Sequence, residues 1–463
     1  MAGMECSPPE DPFFRVEPAS NHENTRRKWR ETCLHLTLLC AMIGFIVIVG
    51  GCDNSDEPSV MEPTVVEDMD PRVEFDLQVL GDIPYPPDNL PRQERIALGR
   101  LIFFDPIISG EKNVACGTCH HPAFGFADGR QFGAGVSGSG LGPSRILSKS
   151  TVTGDPIDFE PRNSPTVWNA AFNGVQSAIP SHVGLQFMDG RAKGLEEQAK
   201  GPITSRVEMK GDPYTSEVAM DSVVARLRAI PEYVTRFRDA FPDEASTMTG
   251  DAIVNEDTYG RAIGAYEREL VTRNSAYDRY VQGDDNALND LQKKGLELFF
   301  TKAKCASCHN GPMFSDYQFV VQGVPQEGGG KAVITGDDTG REEFTKNPAD
   351  RYAFRTLTLR NIELTAPYMH DGVLKTLEDV VRFYNDGAQP RHPQITDDML
   401  PAVLKDPLDL TEDEIKALVA FMKALTDHGD ALPAFMTTVP AKVPSGLMPV
   451  FGVNGLGSGK TTH

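Results

Sequence analysis

The sequence predicts a mainly α-helical chain, built as two domains with long Gly/Pro-rich loops between the helices. Three observations predict it. The pentad Cys116-Gly117-Thr118-Cys119-His120 returns as Cys305-Ala306-Ser307-Cys308-His309. Each copy follows directly on a stretch of helical apolar periodicity. Glycine-rich stretches without a regular pattern separate the periodic ones. Two thiols three positions apart, with a histidine after the second, form the attachment signature of a c-type haem. Each cysteine adds to one vinyl group of the porphyrin, and the adjacent imidazole becomes the proximal ligand of the iron. A zinc site would want cysteine pairs close together or paired histidines. Cys116, Cys119 and His120 are therefore expected to hold one haem c, and Cys305, Cys308 and His309 a second. The expected architecture is two cytochrome c-like haem domains packed around an interdomain site.

Residues 1–51 read as a presequence. Arg26, Arg27, Lys28 and Arg30 precede an apolar run, Leu34 to Val49, which is long enough for a signal-peptide core and short for a spanning helix. The run ends Val49-Gly50-Gly51-Cys52, which resembles a bacterial lipobox. Cys52 is then the lipidated residue, and everything after it is exported to the periplasmic side of a bacterial membrane; an uncleaved signal anchor is the alternative. Cys6, Cys33 and Cys40 fall in the presequence and four cysteines hold haem, which leaves none for a disulfide. The export reading therefore rests on the signal and the haem, not on bridges.

The net charge is −21 and hardly changes when the presequence is removed. So acidic a chain excludes nucleic acid, which demands a basic footprint. It suits a basic or locally basic electron-transfer partner drawn in by long-range attraction, and a merely soluble acidic exterior would look the same. Residues 52–90, rich in Pro, Asp and Glu, read as a disordered tether.

The first haem domain is expected over 91–280. It opens with a helix from Arg92 to Phe104 that has one broad apolar face. The first pentad follows, and then a glycine-rich stretch from Gly125 to Gly154, read either as a surface loop or as a segment controlling access to the haem. Thr215 to Tyr280 reads as packing helices without chemistry. The second domain, 281–430, repeats the design: a helix ending Leu296-Glu297-Leu298-Phe299-Phe300 leads into the second pentad. Thr376-Leu377-Glu378-Asp379 caps one later helix and Thr411 with Glu414 another. Residues 431–463 form a tail.

Between and beyond the pentads lie Arg162-Asn163-Ser164-Pro165-Thr166, Asn169-Ala170-Ala171-Phe172-Asn173, Asp189-Gly190-Arg191-Ala192, Leu195-Glu196-Glu197-Gln198-Ala199, Val207-Glu208-Met209 and Thr365-Ala366-Pro367-Tyr368-Met369-His370-Asp371-Gly372. In this order the motifs resemble the bacterial dihaem cytochrome c peroxidase and MauG family, from about Leu98 to about Leu425. The resemblance implies that peroxide reacts at the N-terminal haem, with a glutamine and a glutamate ten residues apart on its distal side. Gln198 and Glu208 match that spacing. A carboxylate there can move a proton from the near oxygen of peroxide to the departing one, and an amide can hold the peroxide in place. The resemblance also implies a structural calcium between the haems, carried by Asn163 and by backbone carbonyls at Thr365 and Pro367; such oxygen donors suit calcium, although these residues could simply satisfy turn backbones.

Fourteen residues beyond the Tyr-Met-His histidine, where many relatives place a methionine ligand to the second haem and MauG a tyrosine, this chain has Tyr384. A phenolate favours ferric iron and a thioether ferrous iron; Met369 and Met399 are the alternative ligands. The chain departs from the family at two points. Met188 stands where a tryptophan usually lies between the haems, so any aromatic relay must come from elsewhere, with Tyr214 and Trp168 as candidates. No histidine occurs between His121 and His182, and His121 is too close to the proximal ligand to cross the ring, so the first haem is expected to be open when both irons are ferric.

The function expected is a dihaem c-type peroxidase that reduces H2O2 to water at the haem of His120. The haem of His309 would pass in electrons from a small cytochrome c or cupredoxin. The alternatives are a MauG-like enzyme oxidising aromatic residues of a partner protein and a non-catalytic dihaem electron carrier. A lipid anchor is the expected membrane contact, and a homodimer is one compatible assembly.

Overall fold

Each haem-attachment pentad is led by a helix that crosses a second helix at a glycine. The helices that frame the site are α1 (Gln93–Phe104), α2 (Gly194–Gln198), α3 (Ala219–Arg228), α4 (Pro231–Ala240), α5 (Glu256–Arg268), α6 (Asp290–Phe300), α7 (Leu377–Asn385) and α8 (Glu412–Ala424). A Cβ at Gly99 of α1 would lie 1.9 Å from the Ala262 carbonyl oxygen of α5, and one at Gly295 of α6 would lie 2.0 Å from the Ala417 carbonyl oxygen of α8. Only a residue without a side chain lets two backbones approach this closely. The same crossing thus occurs once in front of each pentad.

This computed structural model describes residues 69–174, 183–326, 330, 336–427 and 433–449. The presequence, Cys52, the first part of the expected tether and the end of the tail lie outside the described residues. The described chain is helical with three small antiparallel ladders: Gly138–Ser139 with Ile146–Leu147, Leu185–Gln186 with Ala192–Lys193, and Phe319–Val321 with Ala353–Arg355. No described helix is long and apolar enough to cross a membrane.

Two large apolar cores carry the fold. The first gathers Ile96, Phe103 and Phe104 of α1, Leu227 of α3, Phe237 of α4 and Ile263 and Tyr266 of α5, with Cys116 packed against it. The second gathers Leu296 and Phe299 of α6, Val381 of α7 and Leu418 and Phe421 of α8, with Cys305 against it. Each fully buried aromatic or branched side chain contributes roughly 1.5–3 kcal/mol. Helix starts follow local chemistry. Thr376 and Asp379 exchange side-chain and backbone hydrogen bonds at the start of α7 (2.9 and 3.1 Å), as do Thr411 and Glu414 at α8 (2.8 and 3.3 Å). Asn255 with Thr258 and Asn289 with Gln292 do the same at α5 and α6. A buried fork ties the second half together: Arg360 donates to both carboxylate oxygens of Asp278 at 3.0 and 2.9 Å.

The chain departs from the expected tether over residues 71–90. Phe75 stacks on Phe300 at 5.0 Å, Arg72 pairs with Asp285 at 2.6 Å, and Asn89 donates to Glu196 at 2.7 Å. A few apolar anchors fix a segment whose overall composition is polar. The first part of the tail packs too. Met436 joins the first core, and the Ser445 hydroxyl donates to the buried Asp105 at 2.7 Å. The glycine-rich stretch after the first pentad is pinned by two guanidiniums. Arg145 donates to the carbonyls of Ala134, Gly135 and Gly140, and Arg130 to those of Phe132, Gly142, Pro143 and Arg145.

Candidate haem and peroxide site

His120 and His309 are oriented alike. The Nδ1 atom of His120 lies 3.2 Å from the Phe126 carbonyl oxygen, and that of His309 lies 2.9 Å from the Phe314 carbonyl oxygen. Both acceptor residues have left-handed backbone, with φ of 55° and 50°, which turns each carbonyl back toward the ring. A carbonyl on Nδ1 fixes the tautomer and leaves Nε2 for a metal. Burial disfavours the protonated form of both imidazoles, as an iron ligand requires.

One cavity of about 640 Å³ runs past both histidines. Cys116, Cys119 and His120 line one part; His309, Tyr384 and Met422 line another; Trp168, Met188, Phe354 and His370 also face it. The attachment cysteines are free thiols, the lining is largely apolar, and each proximal ring is held by its carbonyl. These features fit two haem c groups.

Gln198 and Glu208 both face the cavity of His120. Gln198 ends α2, which is packed against α5 so closely that a Cβ at Gly260 would lie 2.4 Å from the Glu196 carbonyl oxygen. Glu208 sits in a single π turn, Arg206–Lys210, and its own N–H donates to the Ser205 hydroxyl at 3.4 Å. Such turns recur at functional sites because the extra residue re-aims a side chain. Burial raises the Glu208 carboxyl above the usual range, while Arg191 and the Ser205 hydroxyl pull it back.

The remaining expected residues fall as follows. Asn163, Thr365 and Pro367 all line the cavity, and the Asn163 N–H donates to the His370 carbonyl at 2.8 Å. Asn163 Nδ2 donates to the Arg130 carbonyl at 2.7 Å, and the Thr365 hydroxyl to Ile362 at 3.2 Å, so two of the three also serve backbone. Tyr384 lines the cavity, and its hydroxyl is pushed up by burial first and then by Cys305 and Cys308 nearby. Of the alternative ligands, Met369 lines the cavity and Met399 packs in a separate small core. Met188 is buried on the cavity wall. Of the two candidate rings, Trp168 lines the cavity with its indole edge-on to Phe126 at 4.6 Å; Tyr214 does not, its hydroxyl accepting from Arg226 at 2.5 Å. His121 accepts the Ala123 N–H on Nδ1 at 3.1 Å.

Three charged residues line the site for which the sequence predicts no role. Glu160 and Arg191 line the cavity beside Glu208. Glu267, in the segment read as packing helices, also lines it, and burial pushes its carboxyl up to about 8. A signal for Glu267 exists: it follows Ile263 by one helical turn and therefore lies on the apolar face of α5. Glu160 stands in a loop, where no periodicity marks it.

The comparisons with known proteins agree with this geometry. A family profile described as di-haem cytochrome c peroxidase matches residues 93–286. The cytochrome c551 peroxidase of Pseudomonas aeruginosa is 35% identical over 353 residues, 75% of this chain and 84% of that protein. The methylamine utilization protein MauG of Methylorubrum extorquens is 35% identical over 346 residues, 74% of this chain and 81% of that protein. Among solved structures, the crystal structure of a MauG-like protein associated with microbial copper homeostasis superposes with a TM-score of 0.62 at 27% identity, covering 79% of this chain and 98% of that one. The paired CxxCH sites opening onto one cavity and these likenesses place the chain in the di-haem cytochrome c peroxidase and MauG family, whose members are oxidoreductases carrying two haems.

Proposed function

We propose that the protein reduces H2O2 to water at the haem of His120, taking two electrons from a small redox protein by way of the haem of His309. The observation that carries this reading is the convergence of Gln198, Glu208 and His120 on one cavity. When bound, the iron supplies an electron-rich centre at which the O–O bond can break. Glu208 moves a proton from the near oxygen to the far one, so that the far oxygen leaves as water rather than hydroxide. Gln198 holds the peroxide by its amide. The apolar wall around Trp168 and Met188 keeps bulk water away and strengthens these polar contacts. His120, held through Nδ1 by Phe126, keeps its ring orientation throughout.

Asn163, Thr365 and Pro367 are the residues we assign to a calcium ion bracing the region between the two sites, on the ground that all three line the shared cavity. We further assign residues 91–280 to the peroxide-reacting domain and 281–430 to the electron-entry domain, Cys52 to a lipid anchor, and the protein to the periplasmic side of a bacterial membrane. The acidic charge supports a basic or locally basic donor, a cytochrome c or cupredoxin. A homodimer is compatible with this reading.

A MauG-like oxidation of aromatic residues on a partner protein is favoured by one observation: Tyr384 beside Cys305 and Cys308. Mixing the haem-loaded protein with stoichiometric H2O2, with and without reduced cytochrome c, separates the readings. Rapid oxidation of the cytochrome supports peroxide reduction. A long-lived oxidised spectrum that the cytochrome does not discharge supports the partner-oxidising alternative, and an inert protein would leave an electron carrier.

A further inference from the structure

Reducing H2O2 to two waters consumes two electrons and two protons. Moving the peroxide's own proton between its oxygens supplies neither of those protons. Both must reach the oxygen that stays behind, in a cavity walled by protein, so the distal site needs a proton store besides Glu208.

Glu160 is a second buried carboxyl on that wall. It is 5% exposed, lines the cavity, and has no hydrogen bond to either carboxylate oxygen among the described residues. Its backbone is fixed by donation from its N–H to the Gly133 carbonyl at 2.8 Å. Its side chain is pressed toward the turn of Glu208. A Cβ at Gly135 would lie 2.7 Å from Glu160 Oε1 and 2.4 Å from the Glu208 carbonyl oxygen, while the next residue, Val136, donates its N–H to that same carbonyl at 2.9 Å. On the other side, a Cβ at Gly133 would lie 2.8 Å from Glu160 Cγ, 3.0 Å from the Ser164 hydroxyl and 3.4 Å from Asp128 Oδ2. Gly135 thus lies between the Glu160 carboxyl and the backbone of the Glu208 turn, and Gly133 between the Glu160 side chain and the Asp128 carboxyl.

We propose that Glu160 and Glu208 act as one carboxyl pair holding a single proton between them in the resting enzyme, with Glu160 passing protons to Glu208 and refilling through Asp128. Glu160 is a positioning residue that acts through Glu208, and the inference rests on the peroxidase reading of Glu208. The charged groups that face Glu160 are Glu208 from the π turn, Asp128 from the loop after the first pentad and Arg191 from the segment after Met188. Two buried carboxylates so placed cannot both ionise at low cost. Burial, then the Glu208 and Asp128 charges, hold Glu160 well above the usual carboxyl range, and burial lifts Asp128 to about 6, which suits it to hand on protons near neutral pH. In each turnover, one proton goes from the pair to the remaining oxygen, the buried Asp128 passes its own proton to the pair, and a second proton follows, both being replaced from water between turnovers. The two electrons come from the reduced donor protein.

The test compares wild type with Glu160→Gln, both loaded with haem. Infrared difference spectra in H2O and D2O should show a protonated-carboxyl stretch in wild type that disappears in Glu160→Gln. Fluoride binding to the ferric N-terminal haem takes up a proton, and the midpoint of its pH dependence should fall in the variant, because Glu208 then titrates without a neighbouring carboxyl. The kcat should drop at least ~10-fold with KM for peroxide nearly unchanged. An infrared spectrum and a fluoride midpoint identical to wild type would overturn the proposal. Should Glu160→Gln fail to load haem, Glu160→Asp carries the test: the band shifts if it belongs to Glu160, and an unmoved band overturns the assignment. These readouts do not depend on turnover. A band that behaves as expected in a protein without peroxidase activity would therefore mark failure of the peroxidase reading alone.

Discussion

The ring of His309 meets the carbonyl oxygen of Phe314 at 2.9 Å, and His120 meets Phe126 at 3.2 Å by the same left-handed turn of the chain. One local device thus orients both histidines, and the polar groups that differ along the shared cavity wall are Glu208, Gln198 and Tyr384.

Replacing Tyr384 by methionine should raise the reduction potential of the second haem, because a thioether stabilises ferrous iron where a phenolate stabilises ferric iron. Spectroelectrochemical titration of Tyr384→Met reads this directly. An unchanged potential and spectrum would remove Tyr384 from the coordination sphere and point to Met369, which also lines the cavity.

The first haem should accept ligands without prior reduction. His121 adjoins the proximal His120 and accepts the Ala123 N–H on Nδ1, and no other histidine follows the first pentad before His182. Adding fluoride or cyanide to the fully oxidised protein should shift the spectrum of one haem at once. A requirement for reduction of the second haem first would contradict this.

Close helix crossings make Gly99 and Gly295 intolerant of a side chain. Alanine at either site would sit about 2 Å from a carbonyl oxygen of the crossing helix, and relieving that overlap should cost about 1–3 kcal/mol or more. Thermal melts of Gly99→Ala and Gly295→Ala check this, and a Tm equal to wild type in either would mean that the crossing is looser than the structure has it.

Stability should decline between about pH 4.5 and 8 through Glu267. Its folded-state value is raised to about 8 from an ordinary 4.5 by burial and by the Glu196 charge. The native state therefore binds the proton more tightly than the unfolded chain, so the stabilising contribution is present below pH ~4.5 and is lost as pH rises toward 8. Melting temperatures of wild type should fall across that window, and Glu267→Gln should flatten the fall. Parallel profiles for the two proteins would show that Glu267 ionises freely.

Much of this was legible in the residues. The pentads announce the haem positions because covalent attachment demands a fixed spacing, and the boxes at Thr376 and Thr411 mark helix starts because capping is local. Gln198 and Glu208 could be named through the order of motifs around them. Glu160 could not, since it reaches Glu208 only through folding, and Arg191 stands within a motif of that order that marks no role for it. The course of residues 71–90 was missed for a related reason. Its composition is polar, and the few anchors that dock it, such as Phe75 on Phe300 and Asn89 on Glu196, find their partners far away in sequence.

The central claim is that Glu208 carries the proton in peroxide cleavage at the haem of His120, and steady-state oxidation of reduced cytochrome c by H2O2 tests it most directly. Wild type should turn over rapidly, and Glu208→Gln, with both haems in place, should lose activity by about 10²–10⁴-fold. A variant as fast as wild type would contradict the account.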